Sequence, residues 1–181
     1  AFTFAAASDA LTTDSTLTID AEGTITDITG NDTTTDITAT TFTVAASTGI
    51  GVSASDSLNL SVDTLIVTTT SGNAFITEAN AVALGTIYVV ANSLTLEAIT
   101  GNITNRASAV TAGNLSITAT ASNAAIGATG ASDDINVTLS GTLTAAASTG
   151  TGGIFITETG NTSIVTVDAA TGNVELESSG T

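Results

Sequence analysis

Histidine, cysteine, methionine, tryptophan and proline are all absent from this 181-residue chain, and Arg106 is its one basic residue. The imidazole, thiolate and ammonium groups that most enzymes and soft-metal sites use are therefore almost entirely missing. The same lack of basic side chains argues against nucleic acid and anionic membrane surfaces as partners. Because there is no cysteine, no disulfide framework can form, and stability must come from burial and backbone pairing.

Negative charge and apolar side chains coexist in this chain. The formal net charge is -16, and the isoelectric point is about 4.1. Disordered chains usually combine such a charge with low hydrophobicity, yet here 42% of the residues are apolar and the mean hydropathy is +0.44. We therefore expect the chain to fold as a single domain. No apolar run approaches the roughly 20 residues that a membrane helix needs.

A short segment with apolar residues at alternating positions, closed by a small polar turn, recurs along the chain. Within a copy, side chains such as Leu94 and Leu96 point one way while Thr or Ser points the other way, which is the period of a strand with one buried face. The copies are about 25 residues apart on average, and long and short intervals alternate. The seven copies begin at Thr16, Thr41, Thr64, Ser93, Asn114, Thr142 and Ile164.

This repeat predicts an all-β fold, a parallel β-helix (β-solenoid) of about seven coils of roughly 25 residues with almost no helix. The alternative is a sandwich of β-hairpins. The solenoid is favoured because Thr-Gly and Gly-Asn turns recur at equivalent places and because the core residues are small and β-branched. Residues 1–15 are expected to form an amino-terminal strand or cap, and residues 16–181 the solenoid repeats.

Acidic residues are the ionisable groups that remain as candidates for a site. Asp27, Asn31, Asp32 and Asp36 crowd one polar loop, and their oxygens are ligands of the kind that Ca²⁺ prefers. Neither an EF-hand loop nor the glycine-rich nonapeptide of calcium β-rolls is present, so a solvated loop is favoured over a calcium site. Residues 133–134 form a second acidic pair. No other cofactor is expected.

Glu78 and Glu158 stand in equivalent Phe-Ile-Thr-Glu contexts, and two carboxylates can hydrolyse a glycoside. Such sites usually also use Arg, Lys, His or aromatic side chains to hold the sugar, and this chain has very few. We therefore assign no catalytic residue and expect both glutamates to point outward from strands, where they discourage edge pairing. Arg106 is expected to be a surface cation that pairs with a nearby Asp or Glu.

Two stretches resemble the degenerate repeats of filamentous-haemagglutinin-type exoproteins, which are very large bacterial surface proteins. The stretches run from Asn73 to Asn105 and, more weakly, from Gly153 to Gly180, and the best matches are Ile-Thr-Glu-Ala-Asn at 76–80 and Gly-Asn-Leu-Ser-Ile-Thr at 113–118. The resemblance covers most of residues 16–180. It implies a right-handed parallel β-helix at the cell surface or released from it, with roles in adhesion, cell contact or matrix building.

The expected function is that of an extracellular structural protein without catalysis, as a subunit or segment of a surface fibre, filament or adhesin stalk. The strand-like segment 173–176 has no visible cap, so copies are expected to associate end to end or to belong to a longer rod. Other cells or extracellular matrix are the expected contacts. The alternative is a ligand-binding β-solenoid module for glycans, calcium or ice, the last because Thr-x-Thr pairs recur in several copies.

Overall fold

The computed structural model describes residues 1–6, 8–27, 33–106, 109–130 and 133–179. Within these ranges the chain forms sixteen strands and no helix, and so it has no helix that could span a membrane. All pairings between the strands are parallel, and the strands stack as a β-solenoid of about seven coils. The predicted all-β solenoid is confirmed, and the sandwich of antiparallel hairpins is excluded.

Strand length varies because some strands stop at a corner of the coil and others continue through it. The first eight strands are β1 (Phe2–Phe4), β2 (Leu11–Thr12), β3 (Thr16–Ala21), β4 (Thr24–Asp27), β5 (Ile37–Ala46), β6 (Gly49–Ile50), β7 (Leu58–Thr69) and β8 (Ala74–Glu78). The last eight are β9 (Val82–Ala98), β10 (Ile103–Asn105), β11 (Ala109–Ser122), β12 (Ile135–Leu139), β13 (Thr142–Thr149), β14 (Ile154–Glu158), β15 (Ser163–Asp168) and β16 (Val174–Ser178).

Two ladders of paired strands run through the whole stack. Ladder A consists of β1, β4, β6, β8, residues 93–98 of β9, residues 114–119 of β11, β13 and β15. Ladder B consists of β3, residues 41–46 of β5, 64–69 of β7, 82–89 of β9, β10, Ile126, β14 and β16. At about 4.8 Å per coil, seven coils give a stack about 35 Å long.

The seven sequence copies do not form one column, although they look equivalent in the sequence. The copies that begin at Thr16, Thr41 and Thr64 stack in ladder B, whereas the four later copies stack in ladder A. The change occurs in the coil after β7, where Thr64 pairs with Ala83 instead of with Ser93. An additional strand segment, the first part of β9, occupies the position above β7 and moves the next copy to the other ladder.

Aliphatic side chains in register fill the interior of the coils. In ladder A, for example, Leu94, Leu115 and Leu143 lie directly above one another and are at most 2% exposed. Full burial of an aliphatic side chain of this size stabilises the fold by about 1.5–3 kcal/mol. The small and β-branched residues expected from the sequence therefore do form a narrow core, in which Phe42 is the largest fully buried side chain.

Asparagine side chains at the corners link neighbouring coils. The Asn114 side chain, for example, donates to the Ser93 hydroxyl at 3.2 Å and accepts from the Thr142 backbone nitrogen at 2.9 Å. These amides supply hydrogen bonds where the chain turns and the backbone ladder is interrupted. The pairs of Asn Oδ1 with a backbone nitrogen in the next coil are Asn73 with Ser93, Asn102 with Ala125, Asn114 with Thr142 and Asn123 with Thr151.

Ile126 offers a test of ladder B, because it lies in a loop and yet pairs with Ile103 below and Ile154 above, with no exposed surface. Ile126→Ala should leave a cavity and lower the free energy of unfolding by about 3 kcal/mol, measured by chemical denaturation. In the control Ile164→Ala, the side chain is 47% exposed, and a loss below about 1 kcal/mol is expected. Equal losses in the two variants would contradict the assignment of Ile126 to the buried column.

Candidate functional site

Five carboxylates are buried among the described residues, each at most 4% exposed. A buried carboxylate is costly unless hydrogen bonds replace its water, so each of them must have a structural or a chemical role. The five are Asp27, Asp36, Glu78, Asp134 and Glu158.

Two of the four predicted calcium ligands are buried rather than solvated. Asp27 is the last residue of β4, and Asp36 directly precedes β5. The Asp36 Oδ2 atom accepts a hydrogen bond of 2.8 Å from the backbone nitrogen of Asn59 in the next coil. The expectation of a solvated loop is therefore wrong for these two residues, because adjoining strands hold them inward.

The other two predicted ligands, Asn31 and Asp32, lie outside the described residues. In the part of the chain that the structure describes, no three His, Cys, Asp or Glu side chains are grouped so that they could hold a metal ion. Calcium binding by this loop stays a prediction.

Glu78 and Glu158 point into the core, so the expectation that they face outward is wrong. In β8 the buried positions alternate, and Glu78 has the same orientation as Ala74 and Ile76. Glu158 follows the same rule in β14. About three coils, or roughly 14 Å along the axis, separate the two carboxylates. This separation exceeds the 5–9.5 Å range of paired glycosidase carboxylates.

The Glu78 side chain accepts a backbone hydrogen bond at a position where no neighbouring strand is present to accept it. Leu60 pairs with Glu78 and Thr64 pairs with Ala83, so Val62, which lies between them, has no strand partner in the coil above. The Val62 backbone nitrogen instead donates to both carboxylate oxygens of Glu78, at 3.1 Å each. The backbone nitrogen of Asn80 donates to Oε1 at 3.2 Å. The carboxylate therefore completes the ladder at a corner.

Burial raises the pKa of the Glu78 carboxyl from 4.5 to about 7, and the nearby negative charge of Asp63 adds to the rise. Hydrogen bonds from the backbone of Asn80, Val62 and Ala79 act in the opposite direction. Desolvation outweighs them because the charged form loses all of its contact with water. The folded protein therefore retains this proton at pH values at which the unfolded chain has lost it.

This raised pKa has a defined consequence for stability. The protonated Glu78 carboxyl adds at most about 3 kcal/mol to the free energy of unfolding. This contribution is fully present below pH 4.5 and is lost as the pH rises to about 7. Glu78→Gln keeps an oxygen acceptor for Val62 and should therefore remove this part of the pH dependence, measured as the free energy of unfolding at pH 5 and pH 8. The control Asp133→Asn removes one exposed carboxylate and should keep the wild-type pH dependence. If the free energy of unfolding of Glu78→Gln changed with pH as in the wild type, Glu78 would not be the group responsible.

The two Phe-Ile-Thr-Glu strands lie on equivalent loops, which shows an internal duplication. Gly51 and Gly127 begin these loops with φ of +68° and +73°, and each lies against the carbonyl oxygen of the Phe in the strand above, Phe75 or Phe155. A side chain at either glycine would be strained and would collide with that carbonyl. Equivalent hydrogen bonds join each strand to the residue at the end of its loop. The hydroxyl oxygens of Ser57 and Thr77 are 2.6 Å apart, and the Thr157 hydroxyl donates to Asp134 Oδ2 at 2.8 Å.

In the acidic pair at 133–134, one side chain faces solvent and the other is buried. Asp133 is exposed, whereas Asp134 has no exposed surface. One Asp134 oxygen accepts the Thr157 hydroxyl, and the other, Oδ1, is buried without a hydrogen-bond partner. Among the described residues, this pair does not belong to any group of three or more His, Cys, Asp or Glu side chains that could hold a metal ion.

Arg106 does not make the predicted ion pair with a carboxylate within the described ranges. Its side chain is exposed, and Nη1 donates a hydrogen bond of 2.8 Å to the Thr64 hydroxyl. Thr64 is 4% exposed and lies two coils from the start of ladder B. The guanidinium therefore spans the outer surface of the coils and binds a neutral hydroxyl.

A groove lies on the surface of the coils near Asp36 and Glu78, and we call it the loop groove. It has a volume of about 380 Å³. Its one carboxylate, Glu97, is half-buried and accepts the Thr120 hydroxyl at 2.7 Å. The lining residues are Thr33, Thr35, Ala54, Ser55, Ser57, Asn59, Leu60, Thr77, Ala79, Glu97, Ile99 and Thr100. Such a lining of hydroxyl groups and aliphatic side chains suits an uncharged ligand that has both polar and apolar faces.

The loop groove is not apparent from sequence motifs, because four separate segments form it. Asn59, Thr77 and Glu97 come together because they occupy the same register position in successive coils. Their spacing of about 20 residues is the one sequence signal that could have indicated this surface.

The column of Thr residues in ladder B is short. Thr16, Thr41 and Thr64 stack in ladder B, but the next partner is Ala83. Ice recognition needs a flat array that repeats in every coil, and this column does not extend beyond three coils.

No protein family, curated protein or solved structure matches this chain. The fold is therefore established by the strand pairing alone.

Proposed function

We propose that this chain is an extracellular structural protein, a subunit or segment of a surface fibre or adhesin stalk of the filamentous-haemagglutinin-like type. Copies would associate end to end, and the sides of the rod would contact other cells or extracellular matrix. Ladders A and B support this proposal, because both connect the described coils by parallel pairing.

The continuous parallel stacking of the coils is the observation that carries the proposal. In β15 and β16 the inward-facing residues Ile164, Val174 and Leu176 are 47%, 49% and 37% exposed, whereas their partners in the coil below are fully buried. A further coil that added onto this edge would bury them and would satisfy the free backbone groups of both strands.

The composition agrees with a rod that contacts partners through many weak groups. Outward positions carry mostly Thr, Ser, Asn and acidic residues, and the net charge of -16 keeps rods apart laterally. The resemblance of residues 76–80 and 113–118 to filamentous-haemagglutinin repeats supports the same function and an extracellular location. Catalysis forms no part of the proposal.

Assembly of the purified chain at 0.15 M NaCl tests this proposal. Light scattering should detect species larger than the monomer, and negative-stain microscopy should show rods of one width and variable length. Leu176→Asn should weaken assembly, because it places a polar group in the aliphatic column. Val52→Asn, at a loop residue that is 57% exposed, should not. A monodisperse monomer without rods would contradict the proposal.

A ligand-binding module is the second candidate, and the loop groove is the observation that favours it. Its volume of about 380 Å³ and its hydroxyl-rich lining suit a short neutral oligosaccharide. The expected ligand is therefore a glycan rather than an anion.

An array of neutral oligosaccharides tests this second function. Ala54→Trp should fill the loop groove and weaken any binding about tenfold, a change of about 1.4 kcal/mol. The matched control is Ala128→Trp, an exposed residue in the duplicated loop that does not line the groove. Equal binding by the two variants would show that the ligand lies elsewhere, and an array without any bound sugar would remove this candidate.

A further inference from the structure

The outer surface of ladder B contains a β-bulge where β9 pairs with β7. The register shifts between residues 65 and 67, so Gly85 and Thr86 of β9 together lie opposite Ile66 of β7. The bulge requires a glycine, because a Cβ atom on Gly85 would lie 2.7 Å from Cγ1 of Ile66. Bulges change the direction of neighbouring side chains and are frequent beside functional sites.

Arg106 lies in the coil above this bulge and extends across it. Its backbone nitrogen donates to the Leu84 carbonyl oxygen at 3.0 Å. Its Nη1 atom donates to the hydroxyl of Thr64, in the coil below β9, at 2.8 Å. The side chain therefore crosses β9 beside Gly85, and the two residues line one pocket of about 270 Å³. The other lining residues are Thr41, Thr64, Ile66 and Thr86.

The Arg106 guanidinium has donors to spare for a ligand. A guanidinium carries five N–H groups in a rigid fork. Within the part of the chain that the structure describes, the exposed Arg106 side chain makes the hydrogen bond to Thr64 and no ion pair. A carboxylate accepts two parallel hydrogen bonds and matches this fork. The hydroxyls of Thr41 and Thr86 lie in the same pocket and can bond to further polar groups of a ligand.

Tyr88, the one tyrosine of the chain, lies on the same outer surface. It follows Thr86 by two residues in β9, so both side chains point outward. The Tyr88 side chain is 47% exposed, and its partners in the adjoining coils are Thr68 and Thr111. An exposed aromatic ring bordered by hydroxyl groups offers an apolar surface on which the C–H groups of a sugar ring can pack.

The bulge pocket and Tyr88 form one surface, which we call the bulge face. Thr64, which binds Arg106, and Thr68, which pairs with Tyr88, are four positions apart in β7. At about 3.3 Å per residue this separation is roughly 13 Å, a distance that a short oligosaccharide spans. The bulge face is distinct from the loop groove, because Thr77 and Glu97 of the groove belong to ladder A.

The acidity of the chain limits the charge that a ligand of the bulge face can carry. The net charge of -16 repels polyanions, and the exposed residue Asp63 directly precedes Thr64. Arg106 is a single cation and neutralises a single carboxylate. A saccharide with one acidic sugar and otherwise neutral sugars therefore matches this surface, whereas a polymer of acidic sugars does not.

We propose that the bulge face binds an oligosaccharide that carries one carboxylate, with its acidic sugar on Arg106 and a neutral sugar ring on Tyr88. The proposal rests on the contact with cells or extracellular matrix proposed above for the sides of the rod, and it names a ligand for that contact. Arg106 supplies the preference for the acidic sugar, and Tyr88 supplies apolar contact that does not depend on charge.

Titration calorimetry with two trisaccharides at neutral pH tests this site. One trisaccharide has a terminal glucuronic acid on two glucose units, and in the other a third glucose replaces the acid. The wild type should bind the acidic trisaccharide about tenfold more tightly, because a charge-assisted pair of hydrogen bonds is added. Arg106→Gln should remove this preference and keep the affinity for the neutral trisaccharide. Tyr88→Ala should weaken binding of both trisaccharides about tenfold.

A control variant separates the bulge face from the loop groove. Ala54→Trp fills the loop groove and should change neither affinity. If the wild type does not bind the acidic trisaccharide, or if Arg106→Gln binds it as tightly as the wild type does, the bulge face is overturned as its site. A loss of binding in Ala54→Trp but not in Tyr88→Ala would also overturn it and would place the sugar in the loop groove. None of these outcomes depends on assembly, so the proposed fibre stands or fails separately in light scattering.

Discussion

The backbone of each strand must find hydrogen-bond partners in the coil below and in the coil above, and the other features of the structure depend on this requirement. Where strands continue in register, ladders A and B meet it. Where the path of the coil changes, a side chain takes the place of the missing strand. Glu78 does so for Val62, and Asn102 does so for Ala125. Polar residues inside the solenoid therefore mark places where the ladder is interrupted.

This view explains why so acidic a chain buries carboxylates. Asp36 accepts a backbone nitrogen, Asp134 accepts a threonine hydroxyl, and Glu158 accepts the hydroxyl of Thr162 at 2.7 Å. Each carboxylate is an acceptor for a donor at a corner or a strand end, where solvation is lost. These acidic groups therefore accept hydrogen bonds within the fold, whereas the outer faces of the coils and the loop groove are open to solvent.

The repeat and its period of two were enough to predict the class of fold and the nature of the core. They were also enough, in principle, to place Glu78, because it follows Ile76 by two residues in one strand. The composition of the chain led us instead to expect an outward glutamate, since a buried carboxylate needs a partner that lies far away in the sequence. The hydrogen bond from Val62 exists only once the coils stack, and so the sequence pattern does not contain it.

The change of ladder after β7 could not be predicted for a related reason. Copies that look alike in the sequence can stack in either ladder, because the choice depends on how many residues each coil uses. Arg106 is a similar case, since its partner Thr64 lies 42 residues away. The loop groove depends on the same stacking. What the sequence predicts well is local alternation, and what it leaves open is which coils become neighbours.

β9 has a consequence for how the molecule folds and unfolds. Its 17 residues pair with β7, β8, β10 and β11, and it contributes to both ladders. In an ideal repeat protein each unit contacts only its neighbours, so the ends can fray independently of the middle. Because β9 belongs to both ladders, neither can be lost at this point without the other. We therefore expect the central coils to open as one cooperative unit, with slower amide exchange than the outer coils.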